Sequence, residues 1–349
     1  MNLTDLGLNI NLEKHLDPQY ETGRVIAEHK ERYIVRTAEA ELEAEITGNM
    51  RFTARGREDF PAVGDWVALI VYGTDLGIIH KIYPRFSVIK RQDVGRAGEE
   101  QVIAANIDCA FVVQAADRDF NLNRLERYLT ICNTSAVKPC IVLSKTDLLE
   151  ESQVDEIMRK IADRIKDVPL TAISNSTRKG YEELLKLFQK GKTYCLLGSS
   201  GVGKSTLLNN LSGYGRMKTG DISKSTNKGR HVTSHRELVI LDNGALLIDN
   251  PGMREVGITD HTGLEVTFDE ISNLSVRCRF RDCRHTHESG CAVIEAVNSG
   301  KIDRAFYSNY LKMLREREHF EASAEELRKK DKMFGKIMKN YKKDIKKNL

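Results

Sequence analysis

Between residues 22 and 90, apolar and polar residues alternate over short runs at 23–27, 32–36, 66–70 and 77–82. Gly48-Asn49, Gly56, Pro61 and Gly64-Asp65 punctuate them. Period-two runs with turn residues between them predict short half-buried strands, and about five of them close into a small β-barrel. An oligonucleotide-binding barrel is one such architecture, and the pattern alone does not separate it from other small barrels. From about residue 104 the texture changes to continuous apolar runs, at 109–114, 139–144, 170–174, 193–198, 238–241 and 245–249. Amphipathic stretches predict helices over 122–133, 151–166, 180–189 and 204–212. Buried strands alternating with helices predict a doubly wound, mostly parallel sheet. The last two runs are joined across Asp242-Asn243-Gly244, which predicts a hairpin and an antiparallel edge. Residues 268–349 read as helix-rich.

Composition narrows the class without changing this outline. A chain of 349 residues, 40% hydrophobic and 30% charged, is that of a globular protein with two or three cores. No apolar run reaches the about 20 residues of a membrane span, and the N-terminus lacks a secretory pattern, so a cytoplasmic location and no membrane partner are expected. The net charge is only +4, but residues 328–349 carry ten Lys or Arg against two Asp, while 38–45 is acid-rich. A basic tail on a near-neutral body fits an acidic polymer as partner, or simply a solvated helix end.

Seven cysteines fall into two groups. Cys109, Cys132, Cys140 and Cys195 sit in apolar runs and read as buried thiols. Cys278, Cys283 and Cys291 surround His285, the spacing of a closed Cys3His zinc site. Three thiolates and an imidazole would fill a tetrahedral shell, which points to a structural ion. His287 is an alternative fourth ligand.

Three motifs point to nucleotide chemistry. The string from Gly198 through Ser199, Ser200, Gly201, Val202, Gly203 and Lys204 to Ser205 and Thr206 follows an apolar strand and opens a helix, the setting of a phosphate-binding loop. Lys204 would reach the β- and γ-phosphates, and Ser205 would ligate Mg²⁺. Asp249 to Gly252 ends a strand: Asp249 would hold Mg²⁺ through water, and the Gly252 N–H would sense the γ-phosphate. Ser144-Lys145-Thr146-Asp147 also ends a strand and matches a guanine reader, in which Asp147 takes both N–H donors of the base. Lys145 would lie along the base, and Ser174-Asn175 would back it.

Residues 229–234 occupy the place of a switch loop. Thr233 is the candidate hydroxyl for Mg²⁺, and His231 is a candidate for orienting water. Met253 stands where many GTPases carry a water-positioning Gln, which predicts slow intrinsic hydrolysis raised by an activating partner. Gly201 in place of Asn predicts no strong potassium requirement.

The order of the motifs is unusual: the base reader precedes the phosphate loop, as in a circularly permuted GTPase. A small barrel, SKTD, GSSGVGKS and DNPG in that order, and a Cys/His cluster before a basic C-terminus resemble the ribosome small-subunit-dependent GTPase family (RsgA, also called YjeQ). Segments 100–108 and 229–231 are also similar to that family's, and the likeness runs from about residue 20 to 315. The departures are Ser144 for Asn or Thr, Val232 for Thr, and an N-terminal extension of about 20 residues.

The resemblance implies a multidomain chain: an extension at 1–20, an OB-like barrel at 21–100, a permuted GTPase domain at 101–265 and a zinc-binding domain at 266–349. It implies GTP, GDP, Mg²⁺ and one structural Zn²⁺ as ligands. It also implies a monomer acting in late maturation of the small (30S) ribosomal subunit, which would stimulate hydrolysis and be gripped through its rRNA by barrel and zinc domain. Two other readings compete. One is a nucleic-acid-binding protein with a slow or non-hydrolysing guanine site. The other is an ATPase, which Asp147 opposes.

Overall fold

A computed structural model describes residues 2–29, 32–92, 100–117, 120–213, 236–249 and 261–318. The first body is built from β1 (Glu21–His29), β2 (Arg32–Arg36), β3 (Glu41–Ile46), β4 (Trp66–Tyr72) and β5 (Leu76–Ile82). β1 pairs antiparallel with both β2 and β4, and β3 pairs parallel with β5. The strand circle 1-2-3-5-4 therefore closes on itself, the five-stranded Greek-key barrel of the OB fold. Val25, Val35, Leu42, Ala44, Val67, Leu69 and Ile79 fill it. The acid-rich run becomes the outer face of β3. Its residues alternate exposed and buried, and Glu41 pairs with Arg36 at 3.1 Å while Glu45 lies 3.6 Å from Arg32. A short helix, between β3 and β4, completes the barrel.

The N-terminal extension packs against this barrel. It contains a one-turn helix, α1 (Ile10–Glu13), and the helix after β3 is α2 (Gly48–Thr53). Leu6 and Leu12 bury against Trp66, Ala68 and Tyr83. Arg24 of β1 is buried and donates to the carbonyls of Leu6 (2.5 Å), Gly64 (3.2 Å) and Asn106 (3.1 Å), with its guanidinium over the Trp66 ring. Burial lowers its pKa to about 10, so the cation persists at neutral pH. One buried charge thus ties the extension, the barrel and the chain entering the next domain.

A hairpin of β6 (Val88–Gln92) and β7 (Glu100–Ala105) leads to the α/β body. This comprises β8 (Cys109–Ala115), α3 (Leu122–Thr134), β9 (Lys138–Ser144), α4 (Glu151–Arg164), β10 (Leu170–Ala172) and α5 (Tyr181–Lys186). β11 (Thr193–Leu197), α6 (Lys204–Gly213), β12 (Arg236–Ile240) and β13 (Leu246–Asp249) follow. The sheet order is β10-β9-β8-β11-β13-β12, parallel up to β13, with β12 antiparallel. The expected hairpin pairs Ile240 with Leu246. β12 also pairs with β1, Ala27 opposite Glu237, so barrel and α/β sheet are continuous.

Both faces of the sheet are covered. Tyr181, Leu184, Phe188, Leu207 and Leu211 pack on one face, from α5, α6 and the turn after α5. On the other, Leu125, Leu129 and Ile161 from α3 and α4 join Leu264, Phe268, Ile271, Val293 and Phe306 from the C-terminal helices. Those helices are α7 (His261–Thr267), α8 (Asp269–Ser275), α9 (Ala292–Asn298) and α10, described over 304–318. They are fastened to the α/β body by polar bonds as well. Arg127 makes a two-pronged pair with Glu316 (2.5 and 2.6 Å), and Asn133 donates to Thr267. Glu126, fully buried, accepts from Arg164 at 2.5 Å and from Asn309. Among the described residues no helix is long and apolar enough to cross a membrane.

Candidate nucleotide site and metal centre

β8, β9, β10, β11 and β13 run in one direction, so the loops at their carboxyl ends open on one edge of the sheet. At the end of β9, the buried Ser144 donates its hydroxyl to the Val202 carbonyl at 2.6 Å. Lys145 turns left-handed (φ 60°, ψ 34°) and sends Nζ to Asp117 Oδ2 at 2.8 Å. Asp147 lies in the short turn Thr146–Leu148, and its Oδ1 accepts from Ser174 Oγ at 2.7 Å. Ser174 is buried, and its hydroxyl also accepts from the Thr177 N–H. Asn175 reaches the other way, donating Nδ2 to the Gly203 carbonyl at 3.0 Å.

The loop from Gly198 to Lys204 joins β11 to α6. At Gly198 φ is +142°, and a Cβ would stand 2.3 Å from the Val113 carbonyl, so only glycine fits. Val202 is buried, Ser199 half-buried and Ser200 exposed. Gly201 and Gly203 take φ of +80° and +95°. Lys204 Nζ donates to the carbonyls of Gly198 (2.6 Å) and Ser199 (2.5 Å), which holds its charge over the loop. Ser205 and Thr206 present exposed side chains on the first turn of α6. Asp249, half-buried at the end of β13, completes the edge, and burial pushes its carboxyl pKa up.

The fold therefore brings Ser144, Lys145, Asp147, Ser174, Asn175, the 198–206 segment and Asp249 to one place. His231, Val232, Thr233, Gly252 and Met253 lie outside the described residues, as does the basic tail. Asp117 was missed in the sequence. It directly follows an apolar run, and the carboxyl end of a parallel strand is where a ligand loop sits, so its position was the available signal.

The Cys/His cluster folds into one centre. Cys278 and Cys291 sulfurs are 3.8 Å apart, and His285 Nδ1 lies 3.6 Å from Cys278 Sγ and 3.4 Å from Cys291 Sγ. With Cys283, all four ligand atoms fall within 4.8 Å of one another. Zn–S bonds of about 2.3 Å and a Zn–N bond of about 2.0 Å in a tetrahedron give S···S edges of about 3.8 Å and S···N edges of about 3.5 Å. The donor set and its spacing are compatible with zinc. His287 is exposed and its Nδ1 faces Thr286 Oγ1, so His285 is the imidazole of the cluster. His285 adopts φ +59°, and Tyr307 of α10 bonds its carbonyl.

A phosphate loop preceded in the chain by its base reader, on a sheet flanked by a barrel and a Cys3His module, defines a circularly permuted P-loop GTPase. Residues 82–259 match the family described as RsgA GTPase, and the chain belongs to that family. It is 41% identical over 323 residues to a Bacteroides thetaiotaomicron protein named small ribosomal subunit biogenesis GTPase RsgA 1, covering 92% of this chain and 90% of that one. A protein from Opitutus terrae, named small ribosomal subunit biogenesis GTPase RsgA, is 41% identical, with 84% and 83% covered. Among solved structures, YjeQ from Thermotoga maritima superimposes with a TM-score of 0.64 at 26% identity, covering 85% of this chain and 98% of that one. YloQ, described as a circularly permuted GTPase, gives 0.63 at 26%, with 87% and 96% covered.

Proposed function

We propose that this chain hydrolyses GTP to GDP and phosphate in the service of small-subunit biogenesis, the role its relatives are named for. The observation that carries this reading is the meeting of base reader and phosphate loop, Ser144 on Val202 at 2.6 Å, at the carboxyl edge of the sheet. Asp147, steadied by Ser174, would take the two N–H donors of guanine. Lys145 would flank the base, with Asn175 behind it. The backbone from Gly198 to Gly203 would cradle the phosphates, and Lys204 would leave its two carbonyls to meet the β- and γ-oxygens.

Ser205 and Thr233 would hold Mg²⁺, with Asp249 acting through water. When bound, the ion neutralises charge developing on the transferred phosphoryl group. Gly252 would sense the γ-phosphate and His231 would orient water. With Met253 unable to do so, hydrolysis in the free protein is slow, and the ribosomal subunit stimulates it.

Cys278, Cys283, His285 and Cys291 would hold one structural Zn²⁺, fixing the 278–291 loops between α8 and α9. The barrel and this module would grip rRNA, with the basic tail adding phosphate contacts. The domain divisions at about 20, 100 and 265, a monomeric state and a cytoplasmic location belong to the same reading. Sedimentation with purified small subunits tests it. Retention with a non-hydrolysable GTP analogue and release with GDP are expected, and retention indifferent to nucleotide would overturn it.

A further inference from the structure

Asn175, Tyr181 and Asn210 form a polar chain beneath the nucleotide site that the motifs do not account for. Asn175 uses both ends of its amide. Its Nδ2 donates to the Gly203 carbonyl at 3.0 Å, and its Oδ1 accepts from the Tyr181 hydroxyl at 2.7 Å. Asn210, on the phosphate-loop helix α6, donates Nδ2 to the Tyr181 hydroxyl at 2.8 Å and to the Asn175 carbonyl at 3.1 Å. The Tyr181 hydroxyl is thus acceptor on one side and donor on the other. Such serial bonds polarise one another and fix a single geometry. The contact at Gly203 is close: a Cβ there would lie 2.6 Å from Asn175 Nδ2.

Adhesion between α5 and α6 does not require this chain. Tyr181, Leu184, Leu207 and Leu211 already share an apolar core. Partly buried polar groups carry a desolvation cost that apolar residues would avoid, so their return lies in specifying position. The position specified is that of the 174–175 loop. Asn175 is pinned through side chain and carbonyl, and the adjacent Ser174 holds Asp147 at 2.7 Å. A shift of Asn175 is therefore a shift of Asp147.

Resting on the reading of Asp147 as the guanine reader, we infer that Tyr181 and Asn210 are positioning residues for base selectivity. They lock the loop that orients Asp147 to the helix that carries the phosphate loop. Neither belongs to the motifs proposed to hold nucleotide. They act through Asn175 and Ser174, and they make the carboxylate's two-pronged fit to guanine depend on the register of α6.

The test compares GDP, inosine diphosphate and ADP binding, with Mg²⁺, in the full-length protein and in Y181F, N210A and the double variant. Inosine diphosphate lacks the 2-amino group and gives Asp147 one donor instead of two. Loosening the clamp should weaken GDP by roughly tenfold and inosine diphosphate much less, so the GDP-to-inosine ratio falls. The double variant should be no worse than the poorer single one, since both break one chain. Y181F keeps the ring and its packing, so it reports selectivity even where N210A lowers the yield of folded protein. Equal loss for all three nucleotides, or an unchanged ratio in folded Y181F, overturns the inference while leaving the guanine site intact. A wild-type protein that does not prefer GDP to ADP overturns the guanine reading itself, and the inference with it.

Discussion

The Ser144 hydroxyl donates to the Val202 carbonyl at 2.6 Å, across 58 residues of chain and with Ser144 fully buried. The proposed base reader is thereby bonded to the proposed phosphate loop although the permuted chain visits it first. Serine supplies the one hydroxyl that this bond needs.

Replacing Ser144 with Ala leaves the Val202 carbonyl without this donor in a buried setting. A stability loss of about 1–3 kcal/mol is expected, together with weaker binding of GDP. Thermal unfolding and calorimetric titration of S144A check both, and unchanged GDP affinity in a folded variant would count against the bond's role.

The C-terminal helices depend on a buried charge. Glu126 faces Arg164 at 2.5 Å, and Asn309 of α10 bonds the same carboxylate. Arg164→Ala strands that carboxylate and is expected to cost about 3–5 kcal/mol. Adding Glu126→Gln removes the charge and should recover part of the loss. Denaturant unfolding of the single and double variants measures this, and strictly additive losses would refute the pairing.

α7 crosses α3 too closely for a side chain at residue 263. A Cβ on Gly263 would lie 2.0 Å from Thr134 Oγ1 and 2.4 Å from the Thr130 carbonyl, and the latter is backbone. Gly263→Ala should therefore destabilise the docking of α7 by about 1–3 kcal/mol. Limited proteolysis should cut G263A between the α/β body and the C-terminal helices sooner than the wild type. Equal resistance would show that the crossing tolerates a methyl group.

Removing metal should act locally. Elemental analysis of purified protein is expected to give one zinc per chain, and a strong chelator should unfold the 278–291 loops. With Mg²⁺ restored, GDP affinity should be unchanged, because none of the four cluster residues is among those proposed to hold nucleotide. Absence of stoichiometric zinc, or loss of GDP binding on chelation, would contradict this assignment.

Much of the architecture is legible in the sequence. Period-two runs marked the barrel, and apolar runs with following glycines or Ser-Lys-Thr-Asp marked the carboxyl edge of the sheet. What could not be read were contacts between residues far apart in the chain. Arg127 and Glu316, Asn133 and Thr267, and Arg24 with the Leu6 carbonyl carry no local pattern, because their partners are fixed only by packing. β3 was hidden for another reason. Glu41, Glu43 and Glu45 gave the strand an acidic appearance, although Leu42, Ala44 and Ile46 between them point inward. The same limit concealed the bonds of Tyr181 and Asn210: Tyr181 reads as part of the apolar face of α5, and Asn210 as an ordinary polar position on α6.

GTP turnover with and without purified small ribosomal subunits tests the central claim most directly. The account predicts slow hydrolysis by the protein alone, a large rise on adding subunits, and no competition from ATP. Turnover indifferent to subunits, or equal consumption of ATP, would contradict it.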